Sequence, residues 1–82
     1  MRRRKRAMTE RLLFIPTAVR NAYMVADTSG VVGFVERVNS RWIASTRRGQ
    51  AIRTNTGHVA RYRSRNGAAD SLIQEVRRPH AA

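Results

Sequence analysis

The sequence predicts an α+β fold: a small antiparallel β-meander of four to six short strands with one C-terminal α-helix packed on the sheet. Three observations predict it. Short apolar or alternating runs recur between turn signals from Leu12 to Arg63. Two of the turns, Asp27-Thr-Ser-Gly30 and Asn39-Ser40, carry hairpin chemistry. After Ser64 the pattern changes, and Ala68, Ala69, Leu72, Ile73 and Val76 form one stripe at helical spacing.

Taken in order, residues 1–10 form a basic arm with nothing to pack, and disorder is expected there in the free protein. Met8 is an alternative start to Met1. One domain is expected over 11–78, with 79–82 as a tail. Leu12 to Ile15 is a short apolar run stopped by Pro16, which pushes Ile15 toward extended geometry and suits a buried strand. Val19, Ala22, Tyr23 and Ala26 also fit helical spacing, so a helix over 17–26 competes with a hairpin of Ala22–Ala26 and Val31–Val35. The hairpin is preferred, because aspartate opens and glycine closes the intervening turn. Gly33, inside the second strand, marks a bulge or a close backbone approach.

A second hairpin pairs Phe34–Val38 with Arg41–Thr46 across Asn39-Ser40. Alternation sends Trp42, Ala44 and Thr46 one way and Arg41, Ile43 and Ser45 the other. Ala51–Thr54 and His58–Arg63 read as further short strands around the Asn55-Thr-Gly57 turn, with Ala60 and Tyr62 facing the core. Ser64 is a good N-cap for a helix over 65–77. Arg77 and Arg78 suit its negative end, and Pro79 stops it. The stripe of Ala69, Leu72, Ile73 and Val76 should meet Trp42, Ala44, Phe34 and Tyr62.

Charge is the strongest functional signal. The chain carries 17 basic residues against 5 acidic ones, a net charge of +12 and a pI near 12.0. Self-repulsion of that size opposes compaction unless a polyanion or salt offsets it. Every basic residue but Lys5 is arginine. Arginine-rich codon usage explains that ratio as readily as phosphate recognition does, but it does not explain the charge excess. Solubility alone needs no single sign. The expected partner is therefore nucleic acid, with duplex DNA favoured. The candidate contacts are Arg2, Arg3, Arg4, Lys5 and Arg6 in the arm, and Arg37, Arg41, Arg47, Arg48, Arg53, Arg61 and Arg63 in the strands and turns.

Other chemistry finds little support. With no cysteine and with His58 and His80 far apart, neither a disulfide nor a zinc site is expected. The carboxylates and histidines form no convergent set, and the glycines have no phosphate-loop spacing, so no enzyme activity and no cofactor are expected. No run approaches the ~20 apolar residues of a membrane span, and Leu12–Ile15 is too short for an export signal. The expected setting is the cytoplasm, on the nucleoid if the protein binds DNA.

Gly33, Val35, Arg37, Trp42, Ala44, Gly49, Tyr62, Ser64, Arg65, Ala68 and Leu72 follow a pattern. It runs Gly-x-Val, a basic residue, Trp-x-Ala, a basic Gly turn, an aromatic strand and a Ser-Arg-x-x-Ala-x-x-x-Leu helix. In this, Gly33–Leu72 resembles the arm-type DNA-binding domain at the N-terminus of phage and transposon tyrosine integrases. The resemblance implies a three-stranded sheet that enters the major groove, backed by the helix. It also implies a phage or mobile-element setting. The 50–58 segment is longer than that pattern has it, and Gly67 falls in the first helical turn. With no integrase catalytic domain after it, a stand-alone protein is expected. Two rival readings are a small phage-type factor that binds an acidic surface of a host enzyme such as RNA polymerase, and an RNA- or ribosome-associated protein. A homodimer stays open in all three.

Overall fold

The computed structural model describes residues 12–77; the expected arm over 1–10 and tail over 79–82 lie outside the described residues. The described residues form a four-stranded antiparallel sheet in the order β1 (Leu13–Pro16), β2 (Ala22–Asp27), β3 (Gly30–Val38), β4 (Arg41–Thr46), followed by a helix, α1 (Arg65–Arg77). The expected α+β meander with a C-terminal helix is the observed fold. No helix forms over 17–26; a tight turn joins β1 to β2, with Asn21 at φ 60°.

The turns close as their side chains dictate. Asp27 Oδ1 accepts bonds from Ser29 N at 2.8 Å and Ser29 Oγ at 2.6 Å, and Gly30 takes φ 123°. That is the geometry an aspartate-to-glycine turn supplies. Asn39 turns β3 into β4 at φ 60°, a region asparagine tolerates. The two later strands form only in part. Residues 51–62 leave β4 and return through isolated pairs, Ser45 with Ala51, Arg53 with Val59 and Trp42 with Tyr62. Ile52 N donates to Ala44 O at 2.8 Å and Ala60 N to Ile52 O at 2.9 Å, so this excursion hangs from the outer edge of β4. It shields that edge from unwanted strand pairing.

Register divides the sheet into two unlike faces. Cross-strand partners share a face, so Val25, Gly33 and Thr46 form one row and Tyr23, Val35 and Ala44 the next. These rows lie under α1. Ser64 caps the helix through Oγ, which accepts Gly67 N at 2.9 Å. Ala68, Ala69 and Leu72 are then fully buried against Val25, Val35 and Ala44. Trp42, Tyr62 and Ile73 pack at the margin of this core. Phe34 does not join them. It pairs with Met24 and Ser45 in a row on the opposite face, and Val76 is 46% exposed.

A bulge explains the sheet's fit to the helix. Register shifts between Val25 and Ala26, leaving one extra residue in β3 beside Gly33. A β-carbon on Gly33 would press on the Ser45 carbonyl oxygen and lie 2.9 Å from both Leu72 methyls. Glycine here permits close approach of α1. Gly33→Ala should cost at least about 1–3 kcal/mol, the scale of core overpacking. A lowered denaturant midpoint with helix content retained at low denaturant would show this.

One ion pair ties the far end of α1 to the sheet. Arg77 Nη2 lies 3.4 Å from Asp27 Oδ2. The two Ser29 hydrogen bonds are the main cause that holds the Asp27 carboxyl below the usual carboxylate range; Arg77 adds to them and burial opposes. A lowered folded-state pKa adds stability above the unfolded value of about 3.9, and that contribution disappears as pH falls through the folded value. Asp27→Asn should therefore be less stable than wild type at neutral pH, by about 1–2 kcal/mol for lost charge-assisted bonds. The difference should vanish in strong acid, as denaturation at several pH values would measure.

Candidate nucleic-acid interface

The backbone pair between Trp42 and Tyr62 organises the basic residues. Trp42 N donates to Tyr62 O and Tyr62 N to Trp42 O, both at 2.8 Å. This antiparallel pair sets Arg41 beside Arg63 and Arg61 beside Ile43. Arg37 is the β3 partner of Trp42. Four arginines from three segments thus lie at one end of the sheet, Arg37 on the α1 side with Trp42 and Arg41, Arg61 and Arg63 on the open side, and all four are exposed. Among the described residues none of the four has a carboxylate at ion-pair distance. Like charges opposite one another destabilise a sheet pair, so this end stores repulsion that an anion would relieve.

The other candidates are placed differently. Arg47 and Arg48 sit in the turn after β4, beside Ser29, Gln50 and Val76 around a hollow of about 440 Å³. From Arg41 to Arg47 the chain travels about 20 Å at strand rise. Arg53 lies on the excursion and donates from Nη1 to Gly57 O at 2.9 Å, which holds that turn. Arg2, Arg3, Arg4, Lys5 and Arg6 lie outside the described residues. Among the described candidates, Arg37, Arg41, Arg61 and Arg63 lie at one end of the sheet and Arg47 and Arg48 in the turn after β4.

Arg65 has a structural role. Its guanidinium carbon stands 4.1 Å above the Phe14 ring and 4.9 Å from that of Tyr23. A cation in the first turn opposes the helix dipole, and stacking on two rings offsets that cost. Tyr23 in turn meets Phe14 edge-on at 6.4 Å and Trp42 at 6.1 Å. Trp42 is thus a half-buried packing residue within an aromatic row, as its spacing with Ala44 had suggested. The row itself was missed, because it joins residues from three strands; the aromatic residues at 14, 23 and 42 were the available signal.

The uncovered face of the sheet is apolar at its centre. Leu13, Ile15, Met24, Phe34, Val38 and Ile43 occupy it by register. No group of three or more His, Asp or Glu side chains converges among the described residues. His58 Nδ1 contacts Thr56 Oγ1 at 3.1 Å in the exposed turn. No described helix is long and apolar enough to cross a membrane. No family model, no curated protein and no solved structure matches this chain.

Proposed function

We propose that this protein binds nucleic acid, duplex DNA in preference, through the arginine end of its sheet. The observation that carries the reading is the placement of Arg37, Arg41, Arg61 and Arg63 at the Trp42–Tyr62 end of the sheet, with no carboxylate partner among the described residues. Guanidinium groups bind phosphate and guanine edges in bidentate fashion. Arg47 and Arg48, about 20 Å away along β4, supply a second basic contact. The two groups are far enough apart to lie over the backbones bordering a major groove about 12 Å wide. The arm, Arg2 to Arg6, adds phosphate contacts that carry no sequence choice.

The resemblance of Gly33–Leu72 to the integrase arm-type domain favours the same partner and a phage or mobile-element origin, acting on DNA in the cytoplasm. The apolar centre of the open face favours a contact at its basic end. Phosphate neutralisation is tested by salt. Binding to a short duplex between about 0.05 and 0.3 M salt should give log K against log salt a slope of about −0.9 per neutralised phosphate. Single strands and duplex RNA, run as competitors, should displace DNA less well. A slope near zero rejects the reading, and stronger competition by duplex RNA moves it to RNA.

A further inference from the structure

We infer that the hollow between the last turn of α1, the β2–β3 turn and the turn after β4 binds a nucleoside phosphate. Its volume of about 440 Å³ falls within the ~300–1,000 Å³ of small-ligand sites. Arg47, Arg48, Gln50 and Ser29 line it together with Val31 and Val76. Basic, amide and apolar side chains are thus gathered in one concavity, at the far end of the sheet from Arg37 and Arg41.

The polar side chains are uncommitted. Among the described residues no carboxylate lies at ion-pair distance from Arg47 or Arg48. The Gln50 side-chain amide makes no hydrogen bond among them either. Two adjacent guanidinium groups suit a phosphate, which each can bind in bidentate fashion. The amide offers a donor and an acceptor to the edge of a base. Ser29 Oγ gives its hydrogen to Asp27 Oδ1 at 2.6 Å, so its lone pairs remain to accept from an amino group. That bond and Arg77 engage the Asp27 carboxylate and limit its repulsion of a phosphate. A bare anion has no use for the valines. Val76 is 46% exposed on the last turn of α1, and a base laid against it would remove apolar surface from water.

The turn that carries the arginines is set before any ligand arrives. Thr46 N donates to Gln50 O at 2.9 Å, Gly49 N to Thr46 O at 2.8 Å and Gln50 N to Thr46 Oγ1 at 3.3 Å, with Gly49 at φ 87°. A backbone already ordered lowers the entropic cost of binding. The ligand has two sources, a free mononucleotide or an unpaired nucleotide of a strand, because a paired base cannot leave its stack to enter. For the second source the inference rests on the nucleic-acid proposal; for the site itself it rests on the hollow.

Two-dimensional NMR of the full chain, titrated with adenosine 5′-monophosphate, adenosine and inorganic phosphate, tests it. The monophosphate should shift the amides of Val31, Gln50 and Val76. It should bind about tenfold or more tighter than adenosine or phosphate, since it adds charge-assisted bonds to apolar burial. Arg47→Gln with Arg48→Gln should reduce it to the adenosine level. Val76→Asn, at an exposed site, should keep the circular dichroism, leave phosphate binding unchanged and weaken the monophosphate about fourfold, the worth of one buried methylene. Phosphate that binds as tightly as the monophosphate overturns the inference. So do shifts confined to residues outside the hollow, and variants that bind like the wild type. A duplex with an unpaired 5′-phosphorylated nucleotide should displace the monophosphate better than a blunt duplex does; equal displacement would assign the site to the free nucleotide. A flat salt slope for duplex binding with the monophosphate shifts intact rejects the nucleic-acid proposal alone, and a normal slope without those shifts rejects this site alone.

Discussion

Leu72→Asp should leave the chain unfolded under conditions where the wild type is folded. Leu72 has no exposed surface and is the largest fully buried side chain among the described residues. Its methyls lie over Gly33, where α1 comes closest to β3. Removing the side chain to alanine should cost about 2–5 kcal/mol, as in other cores. A carboxylate there adds the cost of burying a charge with no partner. Small domains have roughly 5–15 kcal/mol of stability in total, and this core has few large residues to absorb the loss. Thermal unfolding followed by circular dichroism checks both variants. Leu72→Ala should melt at least ~8 °C lower, at about 4–8 °C per kcal/mol for a chain of this size. Leu72→Asp melting with the wild type would show that α1 does not pack on the sheet.

The helix was legible almost to the residue. Ser64, the stripe from Ala68 to Val76 and Pro79 are local signals, and each agrees with the others. The two hairpins were legible for the same reason, since Asp27, Gly30 and Asn39 act within four residues of themselves. The placement of Phe34 was not. Val31-Val-Gly-Phe-Val35 is apolar throughout, so alternation marks no inside or outside, and a one-residue bulge reverses every face beyond it. Residues 51–62 were read as two strands because their alternation is strand-like; they instead turn off the edge of β4 and pair only at isolated points. The basic site was half legible. Composition gave the expectation of a nucleic-acid partner and named the candidate arginines. Their placement at one end depends on Trp42 meeting Tyr62 across the whole excursion, which no local pattern encodes.

The second large effect concerns that end of the sheet. Replacing Arg37, Arg41, Arg61 and Arg63 together with glutamine should leave the fold intact or slightly stabilised, because all four are exposed and Arg41 opposes Arg63. Duplex binding should change greatly. If each arginine neutralises one phosphate, the salt slope should flatten by about 3.6, at 0.9 per contact. At ~0.1 M salt that corresponds to a loss of between three and four orders of magnitude in affinity. Arg47→Gln with Arg48→Gln should flatten the slope by about 1.8. Deleting residues 1–7 should flatten it by several units and weaken every sequence alike, since phosphate contacts carry no sequence choice. Arg65→Gln is the contrasting case: its guanidinium stacks on Phe14 and Tyr23, so it should lower the melting temperature and leave the slope nearly unchanged. Arg37→Gln or Arg61→Gln alone should also alter preference among sequences by about 1–3 kcal/mol if the side chain reaches a base edge. Full affinity in the fourfold variant would place the contact elsewhere and remove the observation on which the nucleic-acid reading stands.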